Sequence, residues 1–240
     1  MAADNTPAAT HTADGSQNPR SVISFLIPTK TPLLTSNLLY AAKETGQFVD
    51  TSFVLLLSRE DPHLLAYREI VDKLRESGMD VGYFIFDGTP YAGMVNRVAP
   101  ILSTEYVCVI DNTHMPMTSD GRTIGTVLAE WSKQSPQIME VGTWQNEAMY
   151  PVVSRKLIDR LGYMFHPLCY GRDEAENWLI LIATSIGVLR EIPGTKLIEA
   201  KVDTIDTIGM SDADDADWAE ETLLQTLDDV ADHLTYHLVK

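Results

Sequence analysis

Residues 106–116 read YVCVIDNTHMP and combine a strand pattern with a cluster of polar side chains. The strand-forming residues Tyr106 to Ile110 end abruptly in an acid, an amide, a hydroxyl and an imidazole. Taken alone, this is typical of a buried strand that ends in a turn, because Asp, Asn and Thr side chains bond to nearby backbone. The neighbouring segments indicate that this strand end belongs to a larger pattern.

Three upstream segments repeat the arrangement of an apolar run followed by polar residues. The runs end at Ile27, Leu57 and Phe86, and a pattern with helical spacing follows each. The polar ends are Pro-Thr-Lys at 28–30, Ser-Arg-Glu-Asp at 58–61 and Asp-Gly at 87–88. Strands that alternate with helices predict an α/β fold with a mainly parallel sheet flanked by helices. Ligands bind beyond the carboxyl ends of such strands, so we expect the four polar ends to form one site.

The downstream half continues the alternation. Helices are predicted over Thr123–Lys133 and Ser154–Leu161, with a strand over Gln137–Val141 between them. The stretch YGRDEAENWLILIATSIG predicts a helix opened by two acids, which complement the helix dipole and cap free N–H groups. Of the nearby tryptophans, Trp178 is expected in the core, whereas Trp144 is expected in a loop as a candidate acceptor contact.

Composition divides the chain into three parts. Residues 1–20 are small, polar and Pro-containing, which predicts a disordered arm. Residues 21–200 hold the α/β pattern and are expected to form one domain with a sizeable core. Residues 201–240 read as an acidic linker and an amphipathic C-terminal helix that packs on the domain or pairs in a dimer, so a monomer or a homodimer is expected. The short apolar runs and the two cysteines favour a cytoplasmic protein without a disulfide framework.

Four motifs, in order, resemble those of the GT-A nucleotide-sugar glycosyltransferases, especially the family 2-like enzymes. They are FLIPT, MVNRVAPILSTEYVCVIDNTHMP, SRKLIDRLGYMF and RDEAENWLILIATSIG, and they span about residues 21–193. The resemblance implies a GT-A-like, Rossmann-like domain. It also implies transfer of a hexose or pentose from a nucleotide-diphosphate sugar, expected to be a UDP-sugar, to a hydroxyl acceptor. Phage glycosyltransferases that modify DNA can be equally compact, and the Ala-, Asp- and Thr-rich arm would suit such a source.

The resemblance assigns roles to individual residues. The nucleotide sugar would be bound by residues at the polar strand ends and on the third helix: Pro28, Thr29, Arg59, Asp61, Asp87, Asn96, Arg97 and Asn112. Mg²⁺ or Mn²⁺ would be held by Asp111, with Thr113 or His114 as a weak ligand or behind it. One carboxylate is chemically sufficient, because phosphates and waters supply the other ligands. Asp173, with Glu174 as the second candidate, would accept the proton of the acceptor hydroxyl in an inverting mechanism.

Several alternatives stay open at the level of sequence. The acceptor is a small molecule, a polysaccharide, a protein or a hydroxymethylated base in DNA, and the stereochemistry is undetermined. A DNA acceptor would require a basic groove, for which the candidates are Arg68, Lys73, Arg75, Arg155, Lys156 and Arg160. A nucleotidyltransferase shares the sheet, but its Gly-rich loop has no counterpart in PTKTPLLTSN. A non-catalytic nucleotide-binding or scaffold protein is the third hypothesis, since the second acid of a DxD motif is replaced by Thr113.

Overall fold

The structure is a computed structural model that describes residues 21–134, 139–145 and 147–199. The predicted arm (1–20) and the predicted acidic linker and helix (201–240) lie outside the described residues. Nine strands are described: β1 (Ile23–Pro28), β2 (Thr51–Ser58), β3 (Val81–Phe86), β4 (Tyr106–Val109), β5 (His114–Thr118), β6 (Val141–Trp144), β7 (Glu147–Ser154), β8 (Leu189–Ile192) and β9 (Thr195–Glu199). Six α-helices are described: α1 (Pro32–Thr45), α2 (Leu64–Glu76), α3 (Tyr91–Val98), α4 (Ile124–Lys133), α5 (Arg155–Leu161) and α6 (Arg172–Ser185).

Seven of the strands form one sheet in the order β3-β2-β1-β4-β7-β6-β8. Strands β3, β2, β1 and β4 are parallel, while β7 runs antiparallel to β4 and β6. This confirms the predicted α/β class with a mainly parallel sheet. The chain moves from β1 outward through β2 and β3, and β4 then lies on the other side of β1. The order therefore reverses between β1 and β4, which is where ligands bind in sheets of this kind.

Helices cover both faces of the sheet because strand side chains alternate between the faces. Phe25 and Ile27 of β1 pack in one buried layer with α1, α2 and α4, whereas Leu26 packs in the other with α3, α5 and α6. A parallel sheet buried on both faces needs nearly continuous apolar strands, which explains the apolar runs of the sequence. Across the described ranges, none of the helices combines the length and apolar character needed to cross a membrane.

The basic residues proposed for a DNA groove do not form one surface. Arg68, Lys73 and Arg75 lie on α2, whereas Arg155, Lys156 and Arg160 lie on α5, and these helices pack on opposite faces of the sheet. Two of the six also donate hydrogen bonds to backbone carbonyl groups: Arg75 Nε to Val81 O (2.6 Å) and Arg155 Nη1 to Ala99 O (2.8 Å). The prediction of a single groove from these residues is therefore wrong.

The segment after β4 differs from the simple turn that its composition indicates. The chain turns at Asp111 and enters β5, which pairs antiparallel with β9 in a separate two-stranded sheet, from His114 opposite Glu199 to Thr118 opposite Thr195. Local sequence did not reveal β5, because Pro116 and the polar residues before it disfavour a strand until a distant partner supplies the hydrogen bonds. The two-stranded sheet therefore starts directly after the polar end of β4.

The structure confirms the prediction for one tryptophan, Trp178, and contradicts the prediction for the other, Trp144. Trp178 is fully buried in α6, as predicted. Trp144 is also fully buried, at the end of β6, where its Nε1 donates to Tyr150 O (2.9 Å) and its ring stacks near Phe25. The expectation that Trp144 lies in a loop and contacts an acceptor is wrong, because this side chain belongs to the core.

Candidate active site

The polar ends of the parallel strands are joined by side-chain contacts. Asn112, just after β4, donates from Nδ2 to Thr29 Oγ1 at the end of β1 (3.2 Å). Arg59, just after β2, forms an ion pair with Asp87, just after β3 (2.5 Å). The first contact joins the ends of β1 and β4, where the strand order reverses, and the second joins the ends of β2 and β3.

A small cluster of polar side chains lies between β1 and α1. Thr29 is buried, and its hydroxyl contacts the hydroxyl of Thr35 (2.6 Å) as well as the amide of Asn112. Nearby, Asp61 accepts a bond at Oδ1 from the backbone N–H of His63 (2.8 Å), while its Oδ2 is buried and lacks a hydrogen-bond partner among the described residues. A buried carboxylate oxygen without a donor is costly, so this position suits an N–H or O–H group of a ligand.

Asn96 has a structural role that the sequence did not reveal. Its Oδ1 accepts bonds from the backbone N–H groups of Met164 and Phe165 (both 2.9 Å), and its Nδ2 donates to Phe165 O (2.7 Å). The amide thereby fixes the segment after α5 against α3, and a nucleotide would have to compete with all three bonds. The neighbouring Arg97 is exposed and makes a 3.5 Å contact with Thr89. Pro28 ends β1 beside Thr29.

We expect Asn96→Ala to lower the free energy of unfolding by about 2 to 3 kcal/mol, because three backbone groups lose their hydrogen bonds to the Asn96 amide. Urea titration followed by circular dichroism measures this loss. Arg97→Ala is the matched control, and its effect should stay within about 0.5 kcal/mol. If Asn96→Ala keeps full stability yet weakens nucleotide binding, the amide serves the ligand and the structural role is wrong.

Asp111 is the most heavily bonded side chain at this edge. Its Oδ1 accepts bonds from the backbone N–H of Thr113 (2.8 Å), the Thr113 hydroxyl (2.9 Å) and the backbone N–H of His114 (2.7 Å). Its Oδ2 accepts the Tyr150 hydroxyl (2.5 Å) and Arg172 Nη1 (3.3 Å). Burial raises the pKa of Asp111, but the bonds from Tyr150 and Thr113 and the proximity of His114 outweigh it and lower the pKa to about 2. Asp111 is therefore ionised at neutral pH.

The residues around Asp111 fit a hard divalent cation if the ligand supplies most of the oxygens. Among the described residues no group of three His, Cys, Asp or Glu side chains is placed to hold a metal ion unaided. Thr113, at the position of the missing second acid, turns its hydroxyl toward Asp111, and His114 Nδ1 lies 3.2 Å from both carboxylate oxygens. Mg²⁺ is commonly held by a single carboxylate together with phosphates and waters. Asp111 would hold such an ion, with the phosphates and waters as the other ligands.

Three residues at the centre of the site were missed by the sequence analysis: Tyr150, Arg172 and Glu176. The guanidinium of Arg172 lies 4.1 Å over the Tyr150 ring, and its Nε pairs with the buried Glu176 (2.9 Å). Among the described non-glycine residues Tyr150 alone has a positive φ, of 57°, a strained conformation that tends to occur at functional sites. Arg172 stood within a recognised motif, RDEAENW, whereas Tyr150 gave no local signal.

The two acids in the first turn of α6, Asp173 and Glu174, have different environments. Glu174 bends back, and its Oε2 accepts bonds from the backbone N–H groups of Tyr170 (2.9 Å) and Gly171 (3.4 Å). It is therefore a helix cap, as the general preference for acids at this position indicates. Asp173 is exposed and follows Arg172, which contacts Asp111. Of the two predicted catalytic acids, Asp173 is exposed, whereas Glu174 is bonded to the backbone.

Comparison with known proteins places the fold. No protein-family model and no curated protein sequence matches the chain. A solved structure of the mannosyltransferase PcManGT from Pyrobaculum calidifontis, in complex with GDP-Man and Mn²⁺, is similar with a TM-score of 0.50 and 16% identity over 79% of this chain and 56% of that one. Residues 1–349 of S. aureus TarS in complex with UDP give a TM-score of 0.51 and 11% identity over 70% of this chain and 57% of that one.

The described chain thus spans a little over half the length of these solved structures. At such identities the likeness shows the fold alone and assigns no function to individual residues. The chain has the GT-A-type fold that its sequence motifs predicted.

Proposed function

We propose that the protein is a glycosyltransferase that moves a sugar from a nucleotide-diphosphate sugar to a hydroxyl acceptor. The observation that carries this proposal is the position of Asp111: an ionised carboxylate at the β1/β4 reversal, beside Arg172 and the first turn of α6. In this arrangement a phosphate-binding centre and a candidate proton acceptor lie next to each other. The chemistry of sugar transfer requires both.

The donor nucleotide would lie across the ends of β1, β2 and β4. Thr29, Asn112 and Asp61 offer the base and ribose a hydroxyl, an amide and a carboxylate oxygen, and the buried Asp61 Oδ2 calls for a donor such as an imide N–H of a base. Uracil carries this imide N–H, and guanine carries a ring amide N–H that donates in the same way. A UDP-sugar is the first candidate and a GDP-sugar the second, in keeping with the UDP and GDP-Man bound by the two similar structures. Arg59 and Asp87 would lie at the rim of this site.

A divalent cation, Mg²⁺ or Mn²⁺, would bind at Asp111 with Thr113 and His114 next to it. The charges support this proposal: the two carboxylates of Asp111 and Glu176 outnumber the single guanidinium of Arg172, so a bound diphosphate would add further negative charge. The ion, when bound, supplies positive charge to the leaving diphosphate. Asp111 itself holds a fixed orientation through Thr113 and Tyr150 and stays ionised at neutral pH.

Asp173 is the proposed proton acceptor. As the acceptor oxygen bonds to the anomeric carbon, the bond to the diphosphate breaks and its electron pair leaves with the phosphate oxygen. The proton of the acceptor hydroxyl passes to the Asp173 carboxylate. Its exposed position on the first turn of α6 allows an acceptor to approach it from solvent.

We expect the chain to bind a nucleoside diphosphate only with a divalent cation present and to hydrolyse the matching nucleotide sugar slowly when no acceptor is added. Calorimetry with UDP, GDP, ADP, CDP and dTDP, each with Mn²⁺ and with EDTA, measures the first property. Release of free sugar from the corresponding nucleotide sugars measures the second. Binding without hydrolysis would favour a non-catalytic nucleotide-binding protein. Release of pyrophosphate from a nucleoside triphosphate and a sugar phosphate would favour a nucleotidyltransferase.

A further inference from the structure

Arg172 is held firmly by the protein, yet its hydrogen bonds are incomplete. Its Nε pairs with Glu176 at 2.9 Å and its face stacks on Tyr150, whereas the Nη1 contact to Asp111 is 3.3 Å. Charge-assisted bonds of this kind usually measure about 2.7 to 2.9 Å, so the contact to Asp111 is a loose one. The remaining nitrogen, Nη2, is buried without a hydrogen-bond partner among the described residues.

We propose that Arg172 binds the diphosphate of the donor and stabilises the charge that develops on it as the leaving group. This inference rests on the proposed function and adds a residue to which no role was assigned. The anchored Nε sets the orientation of the guanidinium, and Nη1 and Nη2 are the atoms that bind phosphate oxygens. A guanidinium presents its N–H groups as a fork that matches two oxygens of one phosphate.

The surroundings keep Arg172 charged and in place. Burial lowers the pKa of Arg172, but the neighbouring Glu176 and Tyr150 outweigh it and raise the pKa above its ordinary value. The Tyr150 ring supports one face of the guanidinium, and the buried Glu176 fixes Nε. The same two contacts leave the Nη edge directed at Asp111, the residue proposed to carry the cation of the donor complex. A phosphate oxygen there would replace a loose contact and satisfy an unpaired nitrogen.

Bond breaking gives this position a catalytic use. When the bond between the anomeric carbon and the phosphate oxygen breaks, its electron pair moves onto the diphosphate, which gains one negative charge. A cation already oriented toward that oxygen stabilises the transition state more than the ground state. Arg172 would therefore contribute to both donor affinity and rate.

A matched pair of lysine substitutions tests the proposal. Arg190 has the same kind of environment as Arg172: it pairs with the buried Glu140 (2.7 Å) and lies over the Trp131 ring (5.1 Å). It stands on β8, at the sheet edge remote from β4. We expect Arg172→Lys to weaken the affinity for UDP or GDP at least tenfold with saturating Mn²⁺, while the affinity for UMP or GMP changes less than threefold. Arg190→Lys should leave both affinities unchanged.

The outcomes separate this inference from the function it rests on. If the unsubstituted chain binds no nucleoside diphosphate, the proposed function fails and this inference fails with it. If it binds UDP or GDP and Arg172→Lys binds equally well, the function stands and Arg172 is only a structural ion-pair residue. Equal losses of diphosphate and monophosphate affinity would also overturn the inference, because they indicate a general disturbance of the site. Should Arg172→Lys fail to fold, Arg172→Gln provides the same comparison with a planar, neutral side chain.

Discussion

Asp173→Asn is expected to lower the rate of sugar transfer by about a thousandfold while leaving the affinity for the nucleotide unchanged within about twofold. The substitution keeps the shape of the side chain and removes its capacity to take a proton. A base that acts only in the transition state affects turnover and leaves ground-state binding intact. Initial rates with saturating donor, together with calorimetry on the nucleoside diphosphate, measure both quantities.

Glu174→Gln is the matched control, because it changes the next residue on the same helical turn. Glu174 accepts backbone bonds from Tyr170 and Gly171, so we expect a loss of about 1 kcal/mol in stability and a rate within a few fold of normal. The opposite pattern, with the larger rate loss in Glu174→Gln, would make Glu174 the base. Activity that survives both substitutions would show that transfer proceeds without either acid.

The parallel strands β1 to β4 could be predicted from the sequence because their signals are local. Strands β1, β2 and β4 are buried on both faces and the edge strand β3 is half-buried, so all four stand out as apolar runs with polar residues after them. The helices between them show apolar residues at helical spacing, such as Tyr67, Val71 and Leu74 on α2. Strands β5 and β9 were not predicted, because they pair only with each other across a long separation in sequence.

The candidate site could be predicted only in part, for a related reason. Asp111, Asn112 and Thr29 lie at strand ends, and the general rule for parallel sheets brings such ends together. Tyr150 reaches Asp111 from β7, whose position beside β4 depends on antiparallel pairing that the composition of either strand does not specify. Its positive φ is equally invisible in a sequence where glycine would be the expected residue.

Residue type alone also failed to separate structural from functional polar groups. Asn96 and Glu174 have side chains typical of binding and catalytic residues, yet both accept hydrogen bonds from backbone groups of neighbouring segments. Trp144 looked like a loop aromatic because of its polar neighbours in GTWQNE, although its ring fills the core beside Phe25. In each case the group that the side chain contacts is far away in sequence or is a backbone group. The pattern and spacing of residues therefore do not reveal the contact.

Asp111→Asn is expected to abolish the cation dependence of nucleotide binding, weaken that binding at least tenfold and lower transfer by a hundredfold or more. The asparagine removes the charged ligand and places an N–H₂ group where the Tyr150 hydroxyl and Arg172 now donate to a carboxylate. Calorimetry with UDP and GDP, in Mn²⁺ and in EDTA, checks the binding, and initial rates check the transfer. Cation-dependent binding of normal strength in this variant would return Asp111 to the role of a turn residue.

A pH titration of stability distinguishes loss of the ligand from loss of the fold in Asp111→Asn. The folded pKa of about 2 lies below the ordinary value of 3.8, so ionisation of Asp111 stabilises the fold above about pH 4 by roughly 2 kcal/mol. This contribution is lost as the pH falls from about 4 through 2, since the folded state must then take up the proton as well. We therefore expect the difference in unfolding free energy between the unsubstituted chain and Asp111→Asn to be largest near neutral pH and to shrink between pH 4 and pH 2. A difference that does not depend on pH would mean that the Asp111 carboxylate is not held by Tyr150, Thr113 and His114 in solution, and the site argued from these bonds would have to be abandoned.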